Sequence, residues 1–301
     1  MGIGLGFSAS YPRALQIQTV TGCNATCVMC PTGVSEDRKI RHLMPLELWQ
    51  KIIDECSSWD RPLDTLLVSL FNEPLLDRRL LDLVDSAKGR LPLTRLYMVT
   101  NGSLLTDARV ERILASRLDI IQISVNARTA NSFDLLESSL DFDRIVAGTQ
   151  KLLEGNRGRR LSIVVSMVEM QYNTQEVQQF TEYWQDLGAI VHVSPAWNRA
   201  GNLPAQNDYQ LERLQRQERI CPKPFFTMCI TAGGDVVLCC ADYGHEVILG
   251  NTSDRPLADI WMGPQHTEVI VRMMKDENAL CNRCDKLYAF QTHNQPIPLV
   301  E

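Results

Sequence analysis

The fold is decided by residues 15–31, which read LQIQTVTGCNATCVMCP. Residues 15–20 are typical of a β-strand, and the loop that follows has three cysteines at the spacing C-x3-C-x2-C, namely Cys23, Cys27 and Cys30. Three thiolates are one ligand short of a closed tetrahedral zinc site, and one short of the cysteine set that fills a [4Fe–4S] cluster. A metal centre in this loop would keep one open position, which favours chemistry over a structural role.

The composition is that of a globular protein with ordinary charge. The chain has 301 residues, of which 45% are hydrophobic and 22% charged, and its length allows about two domains. A net charge of -6 without a block of Lys or Arg argues against nucleic acid and anionic membranes as partners. Apolar runs stay below the ~18 residues of a membrane span. Because the ten cysteines come without an export signal, they indicate metal or redox use in a cytoplasmic protein.

Strand and helix patterns alternate six times along the first part of the chain. Buried strands are predicted at residues 14–21, 65–70, 95–100, 119–125, 161–167 and 189–193. Helices are predicted between them at residues 45–56, 77–88, 107–116, 130–154 and 175–187. Parallel βα units with right-handed crossovers predict an α/β fold with a partial (βα)6 TIM-like barrel. Chemistry in such barrels lies at the C-terminal ends of the strands, where the cysteine loop is found.

The cysteine loop, together with Asn24 and Pro31, resembles that of the radical S-adenosylmethionine (radical SAM) superfamily. The resemblance implies that Cys23, Cys27 and Cys30 hold a [4Fe–4S] cluster whose open iron is chelated by S-adenosylmethionine. It also implies that an electron from the cluster cleaves this cofactor to a 5'-deoxyadenosyl radical. An electron donor such as flavodoxin or ferredoxin would then be a partner.

A second resemblance lies in the loops that follow the strands. Residues 71–74, FNEP, are similar to the G-G-E-P stretch of the superfamily, with Asn72 in the place of a glycine and Glu73 as the implied contact to the S-adenosylmethionine ammonium group. Asn is among the residues that tolerate unusual backbone dihedrals. Further implied contacts to this cofactor follow later strands, and they are Asn101, Ser124, Asn126, Ser166 and Arg199.

A second cysteine set follows residue 206. A polar helix is predicted at residues 207–219, and Gly233-Gly234-Asp235 predicts a hairpin between two strands. The cysteines are Cys221, Cys239, Cys281 and Cys284. Four thiolates can hold either zinc or an iron–sulfur cluster. The order of motifs resembles the SPASM/twitch extension of radical SAM enzymes, which implies one auxiliary [4Fe–4S] cluster, a barrel over residues 1–205 and an auxiliary-cluster domain over residues 206–301.

Two further cysteines, Cys229 and Cys240, are not needed as ligands. Cys240 could replace Cys239, but adjacent strand residues point to opposite faces, so one cluster cannot easily use both. Each is interpreted either as a packed small residue or as a donor of a hydrogen atom to a substrate radical, which would make the protein an epimerase. Twitch dehydrogenases imply the other course, in which the auxiliary cluster accepts an electron.

The sequence is therefore interpreted as a radical SAM oxidoreductase or epimerase in a biosynthetic or tailoring pathway. Its substrate is expected to be a small molecule, such as a sugar or aminocyclitol, or a peptide. Two alternatives remain, a peptide maturase that forms a crosslink or an epimer, and a non-catalytic iron–sulfur or zinc protein.

Overall fold

The computed structural model describes residues 10–158, 160–203 and 221–285. Nine strands lie in these ranges: β1 Ala14–Ile17, β2 Thr65–Leu67, β3 Arg95–Thr100, β4 Ile120–Ser124, β5 Ser162–Glu169, β6 Ile190–Pro195, β7 Thr227–Ile230, β8 Asp235–Val237 and β9 Ile248–Asn251. The α-helices are α1 Pro31–Val34, α2 Leu46–Ser57, α3 Leu80–Arg90, α4 Asp107–Ala115, α5 Ala130–Leu136, α6 Phe142–Gly155, α7 Val177–Asp186, α8 Lys223–Phe226, α9 Leu257–Trp261, α10 Pro264–Met274 and α11 Ala279–Arg283. Short 3-10 helices cover Glu36–Lys39, Pro74–Leu76, Thr174–Glu176 and Arg199–Gly201.

The strands of the described ranges form one open sheet in the order β6-β5-β4-β3-β2-β1-β7-β8-β9. Strands β1 to β6 are all parallel, so six βα units form a curved, unclosed sheet. The predicted partial barrel is confirmed. The predicted hairpin is present as the antiparallel pair β7 and β8, with β9 beside it.

The two faces of the sheet differ in chemistry. In β4, Ile121 and Ile123 have no exposed surface and pack in the main core against the helices. Gln122 and Ser124 alternate with them and point to the inner face. Burying each isoleucine contributes about 1.5–3 kcal/mol. The main core therefore holds the helices on the outer face, while the inner face carries polar side chains beside a smaller apolar cluster that includes Ile120 and Val164.

Two features differ from the sequence predictions. Strand β7 pairs in parallel with β1, so the C-terminal cysteine region extends the barrel sheet. The helix predicted over residues 130–154 is two helices, α5 and α6, because the chain turns at residues 137–141 to support the cysteine loop. The predicted polar helix at 207–219 and the predicted domain boundary at 205/206 lie outside the described residues. Among the described helices, none has the length and apolarity needed to cross a bilayer.

Candidate active site

The cysteine loop starts at the C-terminal end of β1 and is fixed by its backbone. Cys23 N donates to the Arg38 carbonyl at 2.8 Å, and Glu73 N donates to the Gly22 carbonyl at 3.0 Å. Gly22 has φ of +75°, and a Cβ built on it would lie 2.4 Å from the Arg38 oxygen. A glycine is therefore required at this position, because both the dihedral and the close approach exclude a side chain.

Glu137 supports the loop from the far side of the barrel, a role that the sequence analysis missed. It is buried, and its carboxylate accepts hydrogen bonds from Thr26 N at 2.8 Å and Thr26 Oγ1 at 3.1 Å. Ser139 donates both its N–H and its hydroxyl to the same carboxylate. Only the contact across the barrel shows this role, since a glutamate within a helical sequence pattern carries no such signal.

The three thiols of the loop are half-buried and close enough to act on one another electrostatically. The pKa of Cys23 is raised to about 12, chiefly by burial, with smaller contributions from the negative charges of Glu73 and Cys30. Burial also raises the pKa of Cys27 well above its ordinary value, with added effects of Glu137 and Cys30. Thiolate ligands must be deprotonated, so these thiols favour their charged form only beside a cation. The donor set fits a thiolate-bound iron cluster.

Glu73 connects the loop after β2 to the turn after β3. Its Oε1 accepts from Thr100 Oγ1 at 2.7 Å and from Leu75 N at 3.0 Å, and its Oε2 accepts from Asn101 N at 2.8 Å. Burial raises the pKa of this carboxyl above its ordinary value, against the lowering effect of these hydrogen bonds. Because a carboxylate has about four acceptor positions, one stays open on Oε2. The contact of Glu73 to an ammonium group stays a prediction.

Asn101 lies beside the first cysteine. Its Nδ2 is 3.8 Å from Cys23 Sγ and donates to Asn24 Oδ1 at 3.0 Å. Asn24 in turn donates to Ser103 Oγ at 2.8 Å. Two residues chosen from the sequence, Asn24 and Asn101, are thus brought together at the cysteine loop.

Asn72 carries a buried donor without a partner. Its Oδ1 accepts from Leu70 N at 3.1 Å, while its Nδ2 is buried and has no hydrogen-bond acceptor among the described residues. A buried polar group without a partner is costly unless a ligand satisfies it. Asn72 is absent from the positive-φ residues of the described chain, so it replaces a glycine without backbone strain. The unpartnered Asn72 Nδ2 is suited to donate a hydrogen bond to a polar group of a cofactor bound beside the loop after β2.

The predicted contacts after β4 and β5 lie side by side. Ser166 Oγ is 3.5 Å from Ser124 Oγ and accepts from Gln122 Nε2 at 2.9 Å. Asn126 has φ of +63°, and its Oδ1 accepts from Val168 N at 3.0 Å. Ser124 ends β4 and pairs with Ser166, which lies within β5 and not after it as the sequence analysis expected.

Arg199 follows β6 in a strained turn. It has φ of +49°, and Ala200 after it has φ of +54°. The Arg199 guanidinium stacks on Trp197, 4.4 Å from the ring centroid. Its charge lowers the pKa of Tyr243, although burial and the negative charge of Cys30 outweigh that effect and leave the pKa raised. Backbone strain of this kind is found at binding sites.

Three cysteines of the second set, Cys239, Cys281 and Cys284, pack against the main core. Burial raises the pKa of Cys239 well above its ordinary value, and the charges of Cys240, Cys229 and Cys221 add to this. Among the described residues, no three His, Cys, Asp or Glu side chains converge on one metal ion. A [4Fe–4S] cluster binds each of its thiolates on a separate iron, so this result concerns a single ion.

The turn at residues 198–202 connects the two segments that carry these cysteines. Asn202 Nδ2 donates to the Ala241 carbonyl at 3.1 Å, and Arg283 Nε donates to the Ala200 carbonyl at 3.3 Å. Ala241 follows Cys240, and Arg283 precedes Cys284. The chain thus brings the ends of β8 and α11 to one place.

Cys229 and Cys240 belong to the inner side of the barrel. Cys229 Sγ donates to Gln16 Oε1 at 3.4 Å, and it packs with Phe71 and Val237. Cys240 packs partly buried against this group, whereas Cys239 packs against the main core. The two adjacent cysteines therefore take different surroundings, although the strand expected to reach Cys240 ends at Val237, so both lie in the loop after β8.

Family comparisons agree with this geometry. Residues 17–182 match the radical SAM superfamily, and residues 221–285 match the SPASM iron–sulfur cluster-binding domain. The chain belongs to the radical SAM superfamily. Its two matched domains imply [4Fe–4S] clusters and S-adenosylmethionine as cofactors of this radical SAM protein.

Relatives of this radical SAM protein act on different substrates. S-adenosyl-L-methionine-dependent 2-deoxy-scyllo-inosamine dehydrogenase of Niallia circulans is 21% identical over 93% of this chain and 95% of its own. The structure of BtrN in complex with AdoMet and 2-DOIA matches with a TM-score of 0.61 and 19% identity, over 91% of this chain and 93% of that one. Streptococcus suis SuiB bound to precursor peptide SuiA matches with a TM-score of 0.68 and 15% identity, over 87% and 67%. At these identities the solved structures show the shared fold.

Proposed function

We propose that this radical SAM protein inverts a carbon centre of a small polyhydroxylated substrate, such as a sugar or aminocyclitol, and that Cys240 supplies the returning hydrogen atom. The observation that carries the proposal is the place of Cys240. It packs on the inner side of the barrel with Phe71 and Cys229, while its neighbour Cys239 packs in the main core. In this proposal Cys239 is the cluster ligand, and Cys240 is then left as a thiol suited to hydrogen-atom transfer.

The cofactors would be held by residues already described. Cys23, Cys27 and Cys30 would hold one [4Fe–4S] cluster, and Cys221, Cys239, Cys281 and Cys284 the auxiliary one. When bound, the first cluster and S-adenosylmethionine supply the oxidising power that removes a hydrogen atom from an unreactive C–H bond. S-adenosylmethionine would contact residues at the strand ends, which are Asn72, Glu73, Asn101, Ser124, Asn126, Ser166 and Arg199.

The inner face of the sheet suits a substrate rich in hydroxyl groups. Gln16, Gln122 and Ser166 lie on it, and Tyr97 Oη donates to Gln122 Oε1. These groups can exchange hydrogen bonds with hydroxyl groups and orient one carbon of the substrate. The apolar ring of Phe71 excludes water beside Cys240.

In the second half of the reaction, Cys240 gives a hydrogen atom to the substrate radical. The S–H bond of Cys240 breaks, a C–H bond forms on the face opposite to abstraction, and the sulfur is left as a thiyl radical. A one-electron carrier of the flavodoxin or ferredoxin class then provides one electron, and water provides the proton that restores the thiol. No net oxidation of the substrate results.

Dehydrogenation is the second candidate. It is favoured by the similarity to 2-deoxy-scyllo-inosamine dehydrogenase, which extends over 93% of this chain. In that case the substrate radical would lose a proton and an electron to give a carbonyl, and Cys221, Cys239, Cys281 and Cys284 would hold the cluster that takes up the electron. Cys240 would then be a packed residue.

One experiment separates these functions. The reconstituted protein is incubated in D2O with S-adenosylmethionine, dithionite and a panel of aminocyclitols and aminosugars. Epimerisation gives a product of inverted configuration with one deuterium at the reacting carbon, and Cys240→Ala still forms 5'-deoxyadenosine but no epimer. Cys56→Ala, a change at a buried helix cysteine, is the matched control and keeps both products. A product that is two hydrogens lighter than the substrate, and that Cys240→Ala still forms, would instead identify the reaction as dehydrogenation. If no substrate gives 5'-deoxyadenosine, both epimerisation and dehydrogenation are rejected.

A further inference from the structure

We propose that the surface at residues 34–46, here called the basic–apolar segment, docks an acidic electron carrier of the flavodoxin type. The carrier would pass its electron to the cluster held by Cys23, Cys27 and Cys30. The inference rests on the proposed function only in requiring a reducible cluster in that loop.

The segment exposes more apolar surface than a solvated loop needs. Val34 is 49% exposed, Ile40 46%, Leu43 51% and Leu46 45%. These four side chains come from thirteen consecutive residues, because residues 34–46 include them all. An apolar surface of this kind with polar groups around it is typical of a protein interaction site.

The charge of the segment indicates an acidic partner. Residues 38–42 read RKIRH, with three cations, one histidine and no carboxylate. Lys39 and Arg41 are exposed, and neither forms an ion pair with a carboxylate of the described ranges. Glu36 and Asp37 precede this run at the start of a 3-10 helix. The chain as a whole carries -6, so the run is a local positive area on an acidic protein.

The segment lies directly against the cysteine loop. Cys23 N donates to the Arg38 carbonyl at 2.8 Å, and Thr21 Oγ1 donates to the Ile40 carbonyl at 2.9 Å. Thr21 N also donates to the His42 carbonyl at 3.0 Å. One layer of backbone therefore separates the exposed side chains from the first cluster ligand.

Electron carriers form small, short-lived complexes, and such complexes depend on charge complementarity for their rate of association. In the transfer step the anionic flavodoxin hydroquinone loses one electron and becomes the neutral semiquinone. The electron would go to the cluster that Cys23, Cys27 and Cys30 would hold. No proton is transferred, so the step is balanced without a further reactant.

The test compares two reductants on the reconstituted holoprotein. A purified bacterial flavodoxin, in its hydroquinone form, and dithionite each drive 5'-deoxyadenosine formation from S-adenosylmethionine, and calorimetry gives the Kd for flavodoxin. Lys39→Glu is expected to lower the flavodoxin-driven rate and the affinity by about tenfold or more, the range found for steering charges. Its dithionite-driven rate should equal that of the wild type, and added salt should slow only the flavodoxin reaction.

Two further variants complete the design. Ile40→Asn tests the apolar part and is expected to weaken flavodoxin binding without changing the dithionite rate. Arg157→Glu, at an exposed position after α6, is the matched charge reversal and should change neither. Flavodoxin affinity and rate that stay at wild-type values in both segment variants overturn the proposal. The proposal is also overturned if the wild type is a dimer that Lys39→Glu dissociates while the flavodoxin-driven rate is unchanged. The basic–apolar segment would then be an interface with a second copy of this chain. Failure of dithionite to drive cleavage in the wild type rejects the proposed function instead.

Discussion

Tyr243 lies beside Cys30, close enough for the charge of that cysteine to act on the tyrosine hydroxyl, so the segment that carries the second cysteine set reaches a cysteine of the first. The Tyr243 ring also packs on Phe71, with 4.5 Å between the ring centroids. Burial raises the pKa of Tyr243 above its ordinary value, which keeps the hydroxyl protonated as a donor. The two cysteine sets are therefore mechanically and electrostatically connected.

Replacing Tyr243 should change the potential of the first cluster. Hydrogen bonds to the sulfurs of a cluster raise its reduction potential by stabilising the more negative, reduced state. We expect the hydroxyl beside Cys30 to donate to the cluster-bound sulfur. Tyr243→Phe removes that hydroxyl and keeps the ring, so the midpoint potential should fall by on the order of 50 mV, a little under a tenfold change for one electron. Redox titration followed by electron paramagnetic resonance measures it. An unchanged potential in Tyr243→Phe would mean that the hydroxyl does not donate to Cys30 in the holoprotein.

Gly33 allows α1 to pack on the cysteine loop. A Cβ at Gly33 would lie 2.7 Å from both the backbone nitrogen and the backbone oxygen of Cys27. Gly33→Ala should therefore displace the loop and lower iron incorporation severalfold. Gly89→Ala is the control, since a Cβ there meets nothing within 4 Å, and it should raise helix stability by about 0.5–1 kcal/mol. The iron content and the urea unfolding of both variants test these expectations. Full iron loading of Gly33→Ala would contradict the packing of α1 on the cysteine loop.

Glu137 should control how firmly the loop holds its cluster. Glu137→Gln keeps the shape of the side chain but replaces one acceptor oxygen with an amide donor, so bonds from Thr26 or Ser139 are lost. Loss of a hydrogen bond to a charged group costs about 1.5–3 kcal/mol. Iron release to a chelator should be at least several times faster than in the wild type. Glu154→Gln, at an exposed helix position, should release iron at the wild-type rate.

Cys56 gives a pH dependence that is independent of the clusters. It is buried on α2, and burial, with a smaller effect of Glu55, raises its pKa above the ordinary value. Below about pH 8.5 the thiol is protonated in both folded and unfolded chains, and its contribution to stability is complete. Above that pH only the unfolded chain ionises, so this contribution falls by about 1.4 kcal/mol per pH unit.

The corresponding measurement is urea unfolding of wild type and Cys56→Ala at pH 7.5 and 9.5. Cys56→Ala should be the less stable protein at pH 7.5 because it loses buried surface. The difference between the two proteins should shrink by about 1.4 kcal/mol at pH 9.5. A difference that does not depend on pH would mean that Cys56 ionises equally in both states.

Features that depend on local sequence could be predicted, whereas features that depend on contacts between distant residues could not. The cysteines at positions 23, 27 and 30 and the six βα units are visible in the sequence, because ligand spacing and strand patterns are local. The pairing of β7 with β1 joins residues more than 200 positions apart, and no periodicity signals it. Glu137 and Tyr243 read as an ordinary helix acid and a loop aromatic until the barrel brings them to Thr26 and Cys30.

Iron and acid-labile sulfide per chain, measured after anaerobic purification, test the central claim of two cysteine-held clusters most directly. The wild type should hold about eight irons, since each [4Fe–4S] cluster contributes four. Two variants should each hold about four, the alanine triple at Cys23, Cys27 and Cys30 and the alanine quadruple at Cys221, Cys239, Cys281 and Cys284. About four irons with one zinc in the wild type would contradict the account, because the second cysteine set would then be a structural zinc site.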